Sequence, residues 1–268
     1  MRVEGRVVVV TGGSMGIGEE IARLFFSKGA KVVLAGREMG RLEEARQRIG
    51  GTEPNSLCVE CDVRSRDQLE SLMRTALGHF ERVDVWVNNA GFGLVDSVEK
   101  MDMAECRGMF DTNLFGAIEG MQVAIPVMRR QGFGAIINIS SVAGYIAVPY
   151  MAAYGATKHA LNCFSRAARL ELRGTGVKVI NVCPGYVKTG FGEHVVRGRD
   201  NRSIGSGVKR GITPQRVAQA VWHAYVLGSR DLVVPWNNEI AIAFYRALPS
   251  LVEWVMMKML RGIEKKTA

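Results

Sequence analysis

The sequence predicts an α/β protein with a doubly wound, mostly parallel seven-stranded sheet and helices on both faces. Two observations support this fold class. Short runs rich in valine and isoleucine are apolar nearly throughout, as strands buried on both faces are. Longer segments of helical periodicity alternate with these runs, and such alternation indicates a parallel sheet. Right-handed crossovers between the strands then produce the doubly wound arrangement.

The predicted elements follow one another without a linker or an internal repeat. The seven predicted strands span 6–11, 31–35, 56–61, 83–88, 134–139, 177–182 and 231–235. The predicted helices span 16–29, 38–49, 65–80, 103–130, 154–173 and 214–228. We therefore predict one domain over residues 1–268, in which 238–268 form a C-terminal helical extension interrupted at Pro249.

The composition is that of a globular chain with a basic balance. With 47% hydrophobic and 23% charged residues, the 268-residue chain can bury a substantial core. Its formal net charge of +9 would suit an anionic ligand, a nucleic acid or an acidic membrane surface. No long basic run and no nucleic-acid-binding motif accompanies this charge. We therefore expect a basic solvated surface and no nucleic-acid partner.

The five cysteines are Cys58, Cys61, Cys106, Cys163 and Cys183. Their odd number and wide spacing argue against a disulfide framework, and free thiols favour a reducing compartment. Cys58 and Cys61 form a C-x-x-C sequence, but residues three apart on a strand point to opposite faces, so we expect no metal site. The sequence has neither a secretory signal nor an apolar run of membrane-spanning length, and we predict a cytoplasmic location.

A glycine-rich turn, TGGSMGIG at 11–18, directly follows the first predicted strand. Glycine permits positive φ and lets the backbone approach a ligand closely. The next helix then presents its N-terminal amides to a pyrophosphate, which predicts a dinucleotide site of the Rossmann type. The candidate contacts in this turn are Gly12, Ser14, Met15, Gly16, Ile17 and Gly18.

The end of the second strand bears on the choice of cofactor. Dinucleotide folds that prefer NAD usually place Asp or Glu there to hold the ribose 2′-hydroxyl, whereas this chain has Gly36 and Arg37. A forked guanidinium can bind the 2′-phosphate of NADP. We therefore predict NADP(H), with Ser14 and Arg41 as further candidates for the phosphate. Alternatively, Arg37 is a surface residue that opens a helix.

Tyr154 and Lys158 lie four residues apart at the start of a predicted helix, so they share one face. A nearby ammonium favours the phenolate and lowers the pKa of a tyrosine. Tyr154 would then be a usable acid or base near neutral pH. Alone, the pair is weak evidence, because Y-x-x-x-K occurs by chance in many helices.

Six features occur in a fixed order: TGxxxGxG at 11–18, NNAG at 88–91, Asn113, Ser141, YxxxK at 154–158 and PGxxxT at 184–189. Together they closely resemble the short-chain dehydrogenase/reductase (SDR) family in its shorter, non-extended branch. The resemblance covers about residues 5–235 and implies a nicotinamide-dependent oxidoreductase with no metal.

The resemblance also implies roles for the matched positions. Ser141 would hydrogen-bond the substrate carbonyl, Tyr154 would exchange the proton, and Lys158 would hold the nicotinamide ribose. Asn113 would fix a water that links Lys158 to solvent. Ser140 is the rival serine, although its offset by one residue points it to the other side of an extended strand. The remaining implied cofactor contacts are Asp62, Val63, Asn89, Ala90, Gly91, Pro184, Gly185, Val187 and Thr189.

The implied chemistry is hydride transfer between the nicotinamide and a carbonyl or carbinol carbon. The residues expected to border the substrate are hydrophobic: Phe92, Val142, Tyr145, Val148, Met151 and Phe191. They predict a hydrophobic ketone or secondary alcohol, lipid-like or steroid-like. The basic segment 190–211 would admit an anionic group or form a solvated lid. The alternative function is a catalytically idle NADP(H)-binding protein that responds to redox state.

The C-terminal segment departs from the family pattern, because many relatives end in a short glycine-rich tail that helps build tetramers. This chain continues through 238–262 with apolar residues near helical spacing, such as Leu251 and Val255, and basic residues beside them. Three interpretations remain open: a cover over the substrate cleft, an oligomer interface, or a peripheral membrane contact, which is the least favoured. A homodimer through the helices at 103–130 and 154–173, or a homotetramer, is expected.

Overall fold

The computed structural model describes residues 3–189, 195–199 and 211–267, of which 259–267 are described for the backbone alone. The strands are β1 Val7–Thr11, β2 Lys31–Gly36, β3 Ser56–Glu60, β4 Val85–Asn88, β5 Leu94–Val95, β6 Gly134–Ile139, β7 Val177–Pro184, β8 Val196–Arg197 and β9 Asp231–Val234. The helices are α1 Gly16–Ser27, α2 Met39–Arg48, α3 Arg66–Phe80, α4 Met103–Phe110, α5 Gly116–Gln131, α6 Ala152–Glu171, α7 Pro214–Leu227, α8 Asn237–Ala247 and α9 Pro249–Thr267.

Seven strands form one sheet in the order β3-β2-β1-β4-β6-β7-β9, and every neighbouring pair is parallel. The prediction of a doubly wound, seven-stranded parallel sheet is therefore confirmed. The strand order reverses between β1 and β4. In sheets of this kind, ligands bind outside the carboxyl ends of the strands at such a reversal.

Alternation along the buried strands sends side chains into two separate cores. Val8 and Val10 of β1 join the core under α1 and α7, whereas Val7 and Val9 join the core under α3 and α5. The same rule separates the C-x-x-C pair, because Cys58 packs against the first core and Cys61 belongs to the second. All five cysteines are free thiols.

Two features of the fold differ from the sequence prediction. The small parallel pair of β5 and β8 was not predicted, because two-residue strands are too short to show periodicity. The predicted helix over 103–130 is divided into α4 and α5 by a π-helical turn at Asp111–Phe115. A single π-turn shifts the apolar repeat by only one residue, which is too small a change to recognise in a segment with few apolar positions.

The C-terminal extension consists of α8 and α9, which meet at a sharp bend. No helix in the described ranges is by itself long and apolar enough to cross a membrane. The two helices taken together, from Asn237 to Lys258, pass that test by length and composition but are bent by 112°. α8 packs against β9, and α9 packs against α8.

Candidate active site

The glycine-rich turn after β1 has a backbone that only glycine tolerates. Gly12 and Gly16 have φ values of +62° and +59°, in the left-handed region. A Cβ atom at Gly12 would lie 2.9 Å from the Cα of Ala90, and one at Gly18 would overlap the carbonyl oxygen of Gly12. The glycines therefore let the start of α1 pack closely against the carboxyl ends of β1 and β4.

Asn89 fixes this turn to the end of β4. Its Nδ2 donates to the carbonyl oxygens of Thr11 and Gly12, both at 3.0 Å. The Thr11 hydroxyl accepts from the amides of Asn89 and Ala90 at 3.1 and 3.2 Å and donates to the Val87 carbonyl. The NNAG segment is thus held beside the turn by hydrogen bonds from both strands.

The N terminus of α1 leaves its first amides without a side-chain cap within the described residues. Met15 stands at the N-cap position in an extended conformation and its side chain accepts no hydrogen bond. By contrast, Ser65 caps α3 and Thr213 caps α7. Ile17 in the first turn of α1 packs against the core. The uncapped amides can therefore bind the oxygens of an anion such as a pyrophosphate.

Arg37 lies exposed just beyond β2, at the rim of this turn. Its charge reaches Asp62 and contributes to the lowered pKa of that carboxyl, although the hydrogen bond from Arg64 contributes most. Arg41, the weaker phosphate candidate, pairs with Glu38 at 3.0 Å. Of the two arginines, Arg37 is thus the one placed to meet an added anion.

Ser14 and Arg48 lie near the same rim. The Ser14 hydroxyl is 4.0 Å from the position that a Cβ of Gly36 would occupy. Arg48 donates to the Ser14 carbonyl at 3.1 Å and to both carboxylate oxygens of Glu19 at 3.0 Å. Sequence reasoning missed Arg48, because its contact with the turn depends on how α2 packs beside α1.

Asp62 and Val63 follow β3 at the next strand along the sheet edge. Arg64 binds the Asp62 carboxylate through Nη2 at 2.6 Å and through Nε at 3.0 Å. Val63 is buried, and a Cβ at Gly116 would lie 2.8 Å from its side chain. Both of these implied cofactor contacts therefore lie at the carboxyl edge of the sheet, with Asp62 engaged by Arg64.

Lys158 is buried in the candidate catalytic cluster, which comprises Ser141, Tyr154 and Lys158. Its Nζ donates to the Ile139 carbonyl at 2.9 Å and lies 5.8 Å from the centroid of the Tyr154 ring. The two side chains share one face of α6, as their spacing predicts. Burial lowers the pKa of Lys158 from 10.5 to about 8.

The pKa of Tyr154 differs from the value expected from the sequence. Burial raises its pKa above the ordinary value of 10, and a hydrogen bond with Ser141 partly offsets the rise. The prediction that Lys158 lowers this pKa is wrong for the protein in this structure. The physical reason is that the ammonium lies over the ring and is bonded to Ile139, while Ser141 contacts the hydroxyl.

The two adjacent serines point in different directions, as their offset predicts. Ser140 is buried and donates to Asn162 Oδ1 at 2.6 Å. Ser141 accepts from the Ala143 amide at 3.1 Å, which caps the short 3₁₀ turn at Val142–Gly144, and it also contacts Tyr154. Ser141 is therefore the serine within reach of the candidate acid.

Asn113 lies in the π-turn and is buried. Its side-chain amide donates to the Phe92 carbonyl at 2.8 Å and accepts from the Phe92 amide at 2.9 Å. A Cβ at Gly91 would lie 2.9 Å from Asn113 Oδ1 and 3.8 Å from Lys158 Nζ. Gly91 thus lets NNAG, Asn113 and Lys158 meet, whereas the water relay through Asn113 stays a prediction.

The PGxxxT segment leads from β7 back to the glycine turn. The Gly185 amide donates to the Val234 carbonyl at 2.7 Å, which anchors the start of the segment to β9. Val187 packs against the core, and the Thr189 methyl lies 3.5 Å from the position of a Cβ at Gly16. Pro184 ends β7, and its carbonyl accepts from Ser141 at 3.5 Å.

The residues expected to border the substrate do not share one surface. Phe92 packs with Tyr154 in a small cluster beside α4, and Val148 and Met151 are partly buried. Tyr145 instead packs with Val142 against α8, and it lines a separate cavity of about 530 Å³ with Arg166. Its position reflects the 3₁₀ turn after Ser141. Phe191 and most of the segment 190–211 lie outside the described residues.

A buried polar network behind the catalytic cluster was missed by sequence reasoning. Asn138 on β6 receives a hydrogen bond from Asn88 and donates to Ser165 on α6, both at 2.8 Å. Asn162 on α6 receives one from Asn181 on β7 at 2.8 Å. The sequence contains a signal for this network, because a buried asparagine within an otherwise apolar strand needs a hydrogen-bond partner.

A tyrosine hydroxyl near a glycine-rich turn that can bind a dinucleotide fits an oxidoreductase that works with a nicotinamide nucleotide. The family follows from comparison with known proteins, since the model of the short chain dehydrogenase family matches residues 6–200. The chain belongs to the short-chain dehydrogenase/reductase family.

Relatives with similar sequence or structure agree with this assignment. An uncharacterized oxidoreductase of Staphylococcus saprophyticus is 36% identical over 83% of this chain and 90% of its own length. A short chain dehydrogenase/reductase from Burkholderia phymatum, solved with NAD, is 26% identical, with a TM-score of 0.85 over 94% of this chain and 96% of its own. A 3-ketoacyl-(acyl-carrier-protein) reductase from Brucella melitensis, solved with NADH, is 25% identical, with a TM-score of 0.78 over 87% and 97%.

Proposed function

We propose that this protein is an NADP(H)-dependent oxidoreductase that interconverts a hydrophobic ketone and the corresponding secondary alcohol, lipid-like or steroid-like. The observation that carries the proposal is the hydrogen bond between Ser141 and Tyr154, formed beside a buried Lys158. Two hydroxyls that meet in this way can hold a carbonyl oxygen and exchange a proton with it.

The residues at the carboxyl edge of the sheet fit a nicotinamide dinucleotide. The close approach at Gly12 and Gly18 and the uncapped start of α1 leave room for a pyrophosphate against backbone amides. When bound, the cofactor supplies or accepts the hydride at nicotinamide C4. The residues proposed to hold it are Gly12, Ser14, Met15, Gly16, Ile17, Gly18, Arg37, Asp62, Val63, Asn89, Ala90, Gly91, Tyr154, Lys158, Pro184, Gly185, Val187 and Thr189.

Tyr154 acts as the proton donor in the reducing direction. Its raised pKa keeps the Oη proton in place through neutral and mildly alkaline pH, and Ser141 orients the hydroxyl toward the substrate oxygen. Lys158, with a pKa of about 8, is charged at neutral pH and supports transfer of negative charge to Tyr154. Because that charge is lost above pH 8, kcat/KM for reduction falls there in the free enzyme.

Arg37 supports the preference for NADP(H). An exposed guanidinium at the end of β2 attracts a 2′-phosphate, and the residue directly after the strand is Arg37 rather than a carboxylate, while the next residue, Glu38, pairs with Arg41. The two solved relatives were bound to NAD and NADH, so the preference rests on this residue rather than on them.

The proposal also includes a homodimer and a cytoplasmic location. Phe115, Phe164 and Leu170 are exposed on the segment from the π-turn to α6, which supports a homodimer through the long helices. Free thiols at all five cysteines support a reducing, cytoplasmic compartment.

A panel of ketones and secondary alcohols, assayed with NADPH and NADH in parallel, tests the proposal. The expected result is NADPH oxidation with hydrophobic ketones, and a higher kcat/KM for NADPH than for NADH. Tight NADPH binding without turnover of any ketone would instead favour the catalytically idle binding protein. Turnover confined to small polar ketones, or preference for NADH, would overturn the corresponding part of the proposal.

A further inference from the structure

The two C-terminal helices expose a concentration of large apolar side chains. Among the described side chains, seven of the fifteen exposed large hydrophobic residues lie between 236 and 257. A few such residues scattered over a surface are ordinary, whereas a concentration of this kind marks an interaction surface. The apolar C-terminal face is defined here as Ile240, Phe244, Leu248, Leu251, Trp254 and Met257.

The side of α8 that faces away from the apolar C-terminal face packs against the rest of the protein. Ile242 is buried in the cluster that contains Cys183 and Val233, and Arg246 stacks 5.4 Å from the centroid of the Tyr145 ring. Ile240 and Phe244, four residues apart, lie on the other side of this helix and are about half exposed. α8 is therefore two-sided, with one face packed against the cluster around Cys183 and Tyr145 and the other open.

The charges around this face determine which occupant it suits. Lys258 lies 5.1 Å from the centroid of the Trp254 ring, so a cation borders the most exposed aromatic residue of the face. Between 236 and 258 the sequence has two acidic residues, Glu239 and Glu253, and two basic residues, Arg246 and Lys258, whereas from 259 onward it has three basic residues against one acidic residue. Aromatic and aliphatic side chains bordered by lysine and arginine are typical of helices that lie on anionic bilayers.

We propose that α8 and α9 form a docking element for the surface of an anionic lipid bilayer. The helices lie on the membrane rather than cross it, because the 112° bend and the packed face of α8 prevent a straight span. A second copy of the chain is a poorer match. A twofold contact would bring the positively charged C-terminal segments of both copies into one interface, whereas an anionic bilayer would neutralise them.

Docking in this way places the substrate cleft next to the lipid. Asn238 at the start of α8 lies against Gly185, where a Cβ would collide with its side chain, and Gly185 belongs to the PGxxxT segment. A hydrophobic substrate dissolved in the bilayer would thus be delivered close to the active site. The docking itself does not depend on the proposed reaction and can be tested without any substrate.

Co-sedimentation of the full-length protein with vesicles tests the proposal. One preparation is phosphatidylcholine mixed with phosphatidylserine, and the other is phosphatidylcholine alone. The test variant carries Ile240→Gln, Phe244→Gln and Trp254→Gln. The matched control carries Val98→Gln and Leu227→Gln, at two positions exposed by 77% and 78% and distant in sequence from the face. Circular dichroism establishes that both variants are folded.

The wild type and the control are expected to bind the mixed vesicles and to bind phosphatidylcholine alone more weakly, with a loss at high salt. The test variant is expected to lose binding by about tenfold or more, since three anchoring side chains are removed. Absence of wild-type binding, or undiminished binding of the folded test variant, would overturn the proposal. A test variant that changes only the oligomeric mass would identify a protein interface instead, and one that changes only KM would identify a cleft cover.

Discussion

The candidate catalytic cluster is buried, whereas the rim of the candidate nucleotide site is exposed. Ser141, Tyr154 and Lys158 are held by hydrogen bonds at a site where burial shifts the pKa of both the tyrosine and the lysine. Arg37 is exposed, and its contribution is a charge directed at solvent. The chemistry proposed for the buried cluster is therefore costly to alter, whereas the cofactor preference proposed at the rim depends on one replaceable charge.

The largest loss of activity is expected on replacement of Tyr154, the proposed proton donor. Replacing Tyr154 with Phe removes the Oη proton but keeps the ring, so kcat/KM for ketone reduction should fall about 10³-fold. Stopped-flow or steady-state NADPH oxidation measures this loss. Tyr245→Phe is the matched control, because that hydroxyl contacts Glu253 on α9 and should leave the rate unchanged. A Tyr154→Phe protein with near wild-type activity would contradict the assignment of the acid.

The buried ammonium should lower stability at neutral pH. The difference between a pKa of 10.5 and one of about 8 for Lys158 corresponds to about 3 kcal/mol at pH 7. Lys158→Met removes this cost and also the hydrogen bond to Ile139, so the free energy of unfolding should rise by about 2 kcal/mol at pH 7. Activity should fall at the same time.

The pH dependence of the free energy of unfolding tests whether burial of the Lys158 ammonium is costly. The folded state binds the proton less tightly than the unfolded state, so wild-type stability should rise between pH 8 and 10.5, and the advantage of Lys158→Met should shrink there. Urea unfolding at pH 7 and pH 10 measures both. Lys188→Met, at an exposed position, should show neither effect. A Lys158→Met protein less stable than wild type at pH 7 would show that burial of this charge is not costly.

At the rim, Arg37→Glu should change the cofactor preference. Loss of a guanidinium and gain of a carboxylate should lower kcat/KM for NADPH by about tenfold to a hundredfold while sparing NADH. Arg41→Glu is the comparison, and its effect should be smaller because Arg41 is already paired with Glu38. Equal losses with both cofactors would place Arg37 outside the phosphate site.

The smallest effect is expected at the C-x-x-C sequence. Burial raises the pKa of Cys58 to about 12 and that of Cys61 to about 11, so neither is a reactive thiolate at neutral pH. Cys58→Ala should leave kcat/KM within about twofold of wild type. Activity measured with and without a reductant checks this, and a redox-dependent change lost in Cys58→Ala would restore a redox role.

The sequence was sufficient for features that depend on local pattern. Unbroken runs of valine and isoleucine identify the buried strands. Gly12 and Gly18 are required because the helix starts so close to two strands that a Cβ atom would not fit. The positions of Ser141 and Tyr154 could likewise be anticipated, since the strand offset and the helix repeat fix which way each points.

Features that depend on packing between distant segments could not be predicted. The pKa of Tyr154 follows from how deeply α6 is buried and from where Lys158 finds a carbonyl, and neither is encoded in a spacing of four. Arg48 reaches the Ser14 carbonyl only because α2 lies beside α1. Tyr145, expected at the substrate border, packs against α8, a helix more than 90 residues later whose position no local pattern determines.

The central claim, hydride transfer to a carbonyl carbon, is tested most directly with NADPH deuterated at nicotinamide C4 on the transferred face. A ketone that the enzyme reduces is incubated with this cofactor, and the alcohol is examined by mass spectrometry and NMR. The expected product carries deuterium on its carbinol carbon, with the hydroxyl proton drawn from solvent through Tyr154. An alcohol with no deuterium from either face of the cofactor, or cofactor oxidation without any alcohol, would contradict the account.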